Sequence, residues 1–290
     1  MVQAMENNPP RKRHIPLKKY SRADIYIRVM LLIFTLSTIF AFFIFNYKGF
    51  ELKTAIVDTL SNIKIMILEP GLSHFSWGEA FYQIGITVGL AFLSTIIGAV
   101  IALGLALMAA TNLSNEWLSK IVRMGMAFIR AVPTVLWVLI FAISAGLGSE
   151  AAVLGMLLHS VAYLVKAFSE AFEEMDSGII EALRASGANW WHIIIHAVLP
   201  TTFTYLLSWV FLRFEINFGV AVAMGAAAGA GGIGFELFMA SSFYFDLREA
   251  GMITYFILII AILLEITSTQ LKNVSSQRRL SREEYLEDIL

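Results

Sequence analysis

Long apolar runs constrain this chain more than any other feature of its sequence. An α-helix needs roughly 20 apolar residues to cross a bilayer. Six runs reach or approach that length, at residues 26–45, 84–110, 124–145, 151–172, 198–225 and 251–271. Hydrophobic residues make up 58% of the 290 residues and charged residues only 15%, which is little charge to hydrate a soluble surface. The sequence therefore predicts an all-α membrane protein with six transmembrane helices.

Lysine and arginine indicate which segments face the cytoplasm. Basic residues are concentrated in both tails and in the segments 111–123 and 173–197, whereas the turn at 146–150 has none. An even number of spans also places both termini on one side of the membrane. We therefore expect a multi-pass protein of the cell (inner or plasma) membrane, with cytoplasmic N- and C-termini and the lipid bilayer around it.

The predicted organisation has four parts. Residues 1–25 form a basic cytoplasmic tail, and residues 26–81 hold the first transmembrane helix and an external amphipathic loop, with a helix over 56–68. Residues 82–272 form the transmembrane core, which includes a polar cytoplasmic loop at 176–200, and residues 273–290 form a second cytoplasmic tail. The net charge of −1 provides no attraction to nucleic acid, and no such partner is expected.

One amphipathic segment interrupts the apolar runs on the predicted cytoplasmic side. Residues 181–200, EALRASGANWWHIIIHAVLP, follow Asp176 and Ser177, either of which can cap a helix. Gly187 is expected to break that helix, and Pro200 suits the start of a second one. A helix–glycine–helix elbow between two spans predicts a lever arm, but a helix resting on the lipid surface fits the same periodicity.

Two ionisable residues lie inside the fifth apolar run. Arg213 and Glu215 are candidates for a functional site, because a charge inside the membrane is costly. They are two positions apart and point in different directions on a helix, so other helices or a dimer mate must satisfy them. Two interpretations of Arg213 stay open: it steers an anionic substrate, or it forms a structural ion pair. His159 is the one intramembrane histidine, and we interpret it as a hydrogen-bonded packing residue.

A glycine pattern follows the fifth run. Gly229, Gly231 and Gly234 match the spacing of a dinucleotide-binding fingerprint, but no strand precedes them and no βαβ unit surrounds them. We expect flexible or re-entrant backbone near the outer mouth, where exposed N–H groups can meet an anion. A plain loop in which glycines allow close helix packing is the alternative.

Metal and nucleotide motifs are missing from the sequence. His192 and His196 are four apart, as zinc ligands on a helix can be, but the glutamate of HExxH and a third ligand are absent, so no metal site is expected. No GxxxxGK[ST] motif occurs, so this chain is not expected to bind ATP through a P-loop. Any ATP-driven function therefore needs another subunit.

The polar segment resembles the EAA loop of ABC-importer permeases, in which Glu-Ala-Ala precedes a glycine and, further on, Ile-x-Leu-Pro. The matching residues, together with Ala185 on the same helix, are Glu181, Ala182, Gly187, Leu199 and Pro200. Leu183 replaces the third motif residue, and Ala197 stands where isoleucine is usual. The resemblance implies a type I ABC importer permease fold, with these residues coupling the membrane helices to an ATPase subunit.

Further segments resemble the phosphonate-type branch of these permeases, from about the second span to the C-terminus. They are Arg130-Ala-Val-Pro133, Arg213-Phe-Glu215-Ile-Asn217 and Gly229-Ala-Gly231-Gly232-Ile-Gly234. The resemblance implies an oxyanion substrate, such as a phosphonate, phosphite or related phosphorus compound. It also implies a substrate pathway that includes Arg213, Glu215, Asn217, Gly231, Gly232 and Gly234.

The implied assembly contains a second copy of the chain, two cytoplasmic ATP-binding subunits that hold ATP and Mg, and an extracytoplasmic substrate-binding protein. The chain itself would bind no cofactor and would not be an enzyme. One alternative is an importer permease for another small solute, such as an amino acid or a different anion. An ion-coupled secondary transporter would need internal repeats and coupling-ion ligands inside the spans; no repeat is evident, and Glu215 is the only carboxylate expected to be well buried. An intramembrane enzyme is the third alternative, but His159 and Ser160 are neighbours that diverge on a helix.

Overall fold

The computed structural model describes residues 21–44 and 51–287, with side chains up to residue 272. This part of the chain is all-helical. Its helices are α1 (Arg22–Ile44), α2 (Leu52–Leu68), α3 (Trp77–Ala109), α4 (Glu116–Ala131), α5 (Thr134–Ala145), α6 (Ser149–Glu173), α7 (Ser177–Ala185), α8 (Trp190–Ile193), α9 (Leu199–Ala228), α10 (Ile233–Ser242) and α11 (Leu247–Glu287), with a π-helical turn (Ile194–Val198) between α8 and α9. The predicted N-terminal tail lies mostly outside the described residues.

The chain divides into two units, Met1–Asp58 and Thr59–Leu290. In the first unit, α1 begins with reciprocal bonds between Ser21 and Asp24: the amide of Ser21 donates to a carboxylate oxygen of Asp24 and the amide of Asp24 donates to the Ser21 hydroxyl. None of the side chains of α1 is buried. A helix that is apolar on all sides and unburied suits lipid contact. The second unit holds the transmembrane core.

Among the described residues, five helices are long and apolar enough to cross a membrane, and a bent helix pair brings the number to as many as six. The predicted six-span topology agrees with this, but the third span differs in form. It is not one helix over 124–145: α4 and α5 meet at 88°. Pro133 has no amide hydrogen and disfavours helical backbone at Val132, whose ψ is 124°. With 12 residues, α5 is too short to cross the bilayer alone.

The core lies where α3, α6 and α9 pack together. Small residues let the backbones approach. A Cβ added at Gly98 on α3 would lie 3.0 Å from the Cβ of Ser160 on α6. A Cβ at Gly155 would lie 2.4 Å from a methyl group of Val138, which fixes α5 against α6. These contacts hold in place the polar side chains that face the interior.

The outer part of the second unit joins the end of α2 to α11. A Cβ at Gly251 would lie 2.1 Å from the carbonyl oxygen of Met66, and the Tyr255 hydroxyl donates to the carbonyl of Ile67 at 2.8 Å. The external helix predicted over 56–68 is present as α2, which begins four residues earlier, at Leu52.

Several element boundaries differ from the predicted ones. The second span begins at Trp77, where Ser76 and Glu79 form a capping box. The segment after α9 is not only loop, because α10 forms within it. The last helix does not end at residue 271 but continues to Glu287. Residues 272–287 contain neither glycine nor proline and are rich in helix-forming residues, which explains the continuation.

Candidate functional site

The first arm of the cytoplasmic elbow, α7, is capped at both ends. Asp176 accepts a hydrogen bond from the amide of Gly178 at 2.8 Å, which selects Asp176 as the capping residue. At the other end the amide of Ala188 donates to the carbonyl of Leu183, and the amide of Gly187 donates to that of Arg184, both at 3.0 Å. This is a Schellman motif, and it places Gly187 at φ +83°. The predicted break at Gly187 is confirmed.

The second arm begins at Trp190 and runs into the membrane. The Asn189 side chain accepts from the amide of His192 at 2.9 Å and caps the arm. The π-helical turn follows, closed by the amide of Leu199 donating to the carbonyl of Ile194. Pro200 comes directly afterwards and cannot donate to a preceding carbonyl. One widened turn therefore connects the elbow to the long helix α9.

The inner face of the elbow packs into the cytoplasmic half of the core. Ile180, Ile193 and Ile194 are 2–3% exposed and belong to the cluster formed by the ends of α3 and α6. The indole nitrogen of Trp190 donates to the carbonyl of Leu113 at 2.9 Å, and Arg184 donates to that of Asn112 at 3.2 Å. Movement of the elbow is thereby tied to movement of these helix ends.

A hydrogen-bonded joint supports the elbow from the α3–α4 turn. Glu173, at the end of α6, accepts from the amide and the hydroxyl of Thr111, both at 2.6 Å, and pairs with Arg123. The side chain of Asn112 donates to the carbonyl of Phe172 at 2.7 Å. The turn, the end of α6 and α7 therefore form one continuous polar network.

The outer face of the elbow is open. Five of the six residues proposed for coupling are exposed, namely Glu181, Ala182, Ala185, Gly187 and Pro200, and Leu199 is half-buried. Apolar side chains accompany them: Trp191 is 63% exposed and Ile195 54%. Most of the motif residues are thus accessible, and the apolar groups beside them suit a partner or the membrane interface.

A polar cluster lies where α3, α6 and α9 meet. Arg213 is 2% exposed, and its Nε donates to the hydroxyl of Ser160 at 3.1 Å. One helical turn further on, the side-chain nitrogen of Asn217 donates to Ser160 and to Thr95, both at 2.8 Å, and to Ser94 at 3.4 Å. We call these five residues the intramembrane cluster. No carboxylate in the described part of the chain pairs with Arg213.

Two more basic groups border the intramembrane cluster. Arg130 donates to the carbonyl of Ala162 at 2.5 Å, and His159 directly precedes Ser160 in the chain. The Nδ1 atom of His159 is buried and has no hydrogen-bond partner among the described residues. The interpretation of His159 as a hydrogen-bonded packing residue is therefore not supported at that atom.

Glu215 does not join the intramembrane cluster. Its side chain is half-buried, and within the described residues it has no hydrogen bond or ion pair. The expectation that Arg213 and Glu215 diverge is confirmed, and no described residue of this single chain forms the structural ion pair considered for Arg213. A role of Glu215 in the pathway remains a prediction.

The later part of the glycine loop, Gly232 to Gly234, is closely packed. The amides of Gly232 and Ile233 donate to Gln83 at 3.1 Å and to Thr87 at 2.9 Å, so they are not open to an anion. A Cβ at Gly234 would lie 1.8 Å from the carbonyl oxygen of Val222. Gly232 and Gly234 are buried and Gly231 is half-buried. At Gly232 and Gly234 the geometry favours the close-packing alternative over the predicted exposed N–H groups, whereas Gly229 is exposed and has open space around it.

An outer clasp, formed by His74, Asp246 and Glu249, was not recognised from the sequence. Glu249 is 1% exposed and accepts from the amides of Ser73 and His74 at 3.1 and 2.8 Å, while His74 Nδ1 lies 2.6 Å from its other oxygen. Burial acts to raise the pKa of Asp246, but hydrogen bonds from Glu249, Ser73 and Arg248 outweigh it and hold that pKa below its usual value. His74 and Glu249 are 175 positions apart, and a single sequence carries no signal of a contact between residues so far apart.

The paired histidines lie side by side on the elbow. The rings of His192 and His196 stack, with centroids 6.0 Å apart, and the metal-capable residues found together in the described part of the chain are those of the outer clasp. In the clasp, protein donors already occupy the ligand atoms of Glu249.

The sequence matches the family model for binding-protein-dependent transport system inner membrane components over residues 102–281. This is more than half of the chain, which therefore belongs to that family: it is a multi-pass inner-membrane permease of the ABC importer class. In this class the permease is not catalytic, and ATP is bound by a partner ATPase. The family assignment made from residues 181–200 is confirmed.

Relatives and solved structures agree with the family. The chain is 32% identical over 228 residues to the phosphite transport system permease protein PtxC of Stutzerimonas stutzeri, covering 78% of this chain and 82% of that protein. It is also 32% identical over 178 residues to the phosphate-import permease protein PhnE of Mycolicibacterium smegmatis, covering 61% of this chain but 33% of that protein. The fold matches the inward-facing MetNI methionine ABC transporter with a TM-score of 0.63 at 20% identity, over 70% of this chain and 99% of that one.

Proposed function

We propose that two copies of this chain form the translocation pathway of an ATP-driven importer for a phosphorus oxyanion. Two cytoplasmic ATPase subunits would grip the two elbows, and an extracytoplasmic binding protein would deliver the solute. The family membership supports the importer role, and the lack of a P-loop assigns ATP hydrolysis to the partner.

The exposed motif surface of the elbow is the observation that carries the coupling role. Glu181, Ala182, Ala185 and Gly187 face outward from α7, whereas Ile180 on the opposite face is buried in the core. When the ATPases close, they would displace the outer face of the elbow. Ile180 and Ile193, which pack against the core, and the hydrogen bonds of Glu173 would transmit this displacement to α3, α6 and α9. The pathway between the two copies would then open outward.

The buried charge of Arg213 supports an anionic substrate. Removing a cation from water costs several kcal/mol unless a partner compensates it, and no carboxylate among the described residues does so. An ionised group kept inside a membrane is by default functional. Relatives whose names specify phosphite and phosphate make a phosphorus oxyanion the best-supported solute class.

The coupling role is tested in proteoliposomes that contain the complete importer. Glu181→Lys, or Gly187→Pro, is expected to abolish solute uptake while ATP hydrolysis and membrane insertion persist. Glu150→Lys is the matched control, because Glu150 is also an exposed glutamate on a helix but lies at the other end of α6. Normal uptake by both elbow variants would contradict the assignment.

The solute is tested with the same proteoliposomes. Phosphite or a phosphonate should be taken up only with ATP and binding protein present. Uptake of an amino acid instead would overturn the oxyanion assignment and leave the importer role intact. Uptake driven by an ion gradient without ATP would identify a secondary transporter and overturn both.

A further inference from the structure

Two buried polar atoms at the junction of α3, α6 and α9 have no hydrogen-bond partner within the described part of the chain. They are Nη2 of Arg213 and Oδ1 of Asn217. Arg213 is 2% exposed and Asn217 fully buried. A buried polar atom without a partner costs about 1–3 kcal/mol, and more when it is charged. Such atoms call for a partner that is present only in some states of the molecule.

The orientation of the Asn217 amide follows from its neighbours. The hydroxyls of Ser94, Thr95 and Ser160 already donate to the carbonyls of Leu90, Ala91 and Met156 at 2.7–2.8 Å. Each hydroxyl has a single hydrogen, so towards Asn217 these groups can only accept. The amide must present its nitrogen to them, and its oxygen is left as an acceptor that lacks a donor.

The surroundings carry excess positive charge. Arg213 lies with its guanidinium carbon 5.4 Å from the centroid of the Tyr163 ring, and Arg130 donates to the carbonyl of Ala162, two residues from Ser160. No carboxylate of the described residues is bonded to either arginine. A ligand that fits must therefore supply negative charge to Arg213 Nη2 and a hydrogen-bond donor to Asn217 Oδ1.

We propose that the intramembrane cluster is a binding site for a monoprotonated oxyanion, in which one ionised oxygen accepts from Arg213 and one O–H group donates to Asn217. This inference rests on the proposed function and adds the protonation state of the solute. Hydrogen phosphite and the monoanion of a phosphonate carry both groups. A fully deprotonated or esterified anion has no O–H group to donate to Asn217. One of its oxygens would face Oδ1 of Asn217, and the two oxygens would repel each other.

Access to this site depends on conformation. Both side chains are shielded from solvent in the conformation described, so the ligand reaches them in a conformation that exposes the cluster to the pathway between the two copies. Ser160 accepts from both Arg213 and Asn217 and keeps the two groups together. The site is thus closed in the conformation described and is completed by the solute during transport.

The test compares methylphosphonate with its monomethyl ester, a monoanion that has no O–H group. Binding of each to the assembled importer in nanodiscs is measured by phosphorus NMR titration. The wild-type complex is expected to bind methylphosphonate at least about tenfold more tightly than the ester, which corresponds to one hydrogen bond with a charged ligand. Asn217→Leu should abolish that preference, and Arg213→Gln should weaken both ligands by about tenfold or more.

Controls separate binding from folding. Assembly with the ATPase is verified for each variant, and Arg213→Lys, which keeps the charge, should retain the preference for methylphosphonate. Arg248→Gln alters an exposed arginine at the start of α11 and should bind both ligands as the wild type does. Equal binding of the two ligands by the wild type, or an unchanged preference in Asn217→Leu, would overturn the site. If Glu181→Lys still uncouples the importer, the proposed importer function survives that outcome.

Discussion

The cytoplasmic elbow and the intramembrane cluster are both polar regions of a largely apolar protein, and different kinds of contact form them. The elbow is made of neighbours in sequence: Asp176 caps it and Gly187 ends it. The intramembrane cluster joins α3, α6 and α9, and its bond between Asn217 and Thr95 spans 122 positions. The elbow therefore depends on local backbone chemistry, whereas the cluster depends on the packing of the whole core.

The largest expected effect comes from breaking the cluster at its centre. Ser160→Ala removes the acceptor shared by Arg213 and Asn217 and is expected to destabilise the protein by about 3 kcal/mol, because buried donors lose their partner. Thermal unfolding in detergent measures the loss. Ser144→Ala is the control, since Ser144 makes a similar backbone bond but is exposed. Equal stability of the two variants would show that the cluster does not hold the helices.

A smaller effect is expected at the elbow. Gly187→Ala forces a side chain into left-handed backbone, which costs roughly 1–2 kcal/mol, although the surrounding space is open. The cost is local, so we expect less uptake per ATP hydrolysed but the same unfolding temperature. Gly85→Ala, at another position with open space but in regular helix, should behave as the wild type. A drop in the unfolding temperature of Gly187→Ala would contradict the separation of the two regions.

Removing the cap of α7 should have a milder effect still. Asp176→Ala takes away the acceptor for the amide of Gly178 and should weaken the helix by about 1 kcal/mol. Faster hydrogen exchange confined to α7 is the expected readout. Asp176→Asn keeps a capping oxygen and should exchange at the wild-type rate; faster exchange throughout the core in Asp176→Ala would show that the elbow is not a local element.

The smallest effect is expected at the outer clasp. Like the intramembrane cluster, the clasp joins residues that are distant in sequence, and like the elbow it is accessible to water. The pKa of Asp246 is lowered in the folded state, so its contribution to stability is complete above the unfolded value of about 3.9 and is lost as the pH falls through the folded value. Wild-type stability should fall more steeply with acidification below about pH 4 than that of Asp246→Asn. Parallel pH profiles would exclude a role for this carboxylate.

The same contrast explains what one sequence could predict. Apolar run length located the spans, and capping and glycine chemistry located the elbow, because both signals are local. The bend at Pro133 was missed because the apolar pattern continues through it. The partners of Arg213, the packing of Gly234 against Val222 and the outer clasp depend on contacts between distant segments, which a single sequence does not reveal.

The coupling role depends most directly on contact between the elbow and the ATPase subunit. The chain contains no cysteine, so single cysteines can be placed without background. Ala185→Cys on α7 should cross-link to a cysteine in the cleft of the ATPase subunit, and the yield should change with ATP. Leu147→Cys, 73% exposed in the turn between α5 and α6, should give no cross-link. A cross-link from Leu147→Cys, or labelling of Ala185→Cys by an impermeant reagent from outside the cell, would contradict the central claim.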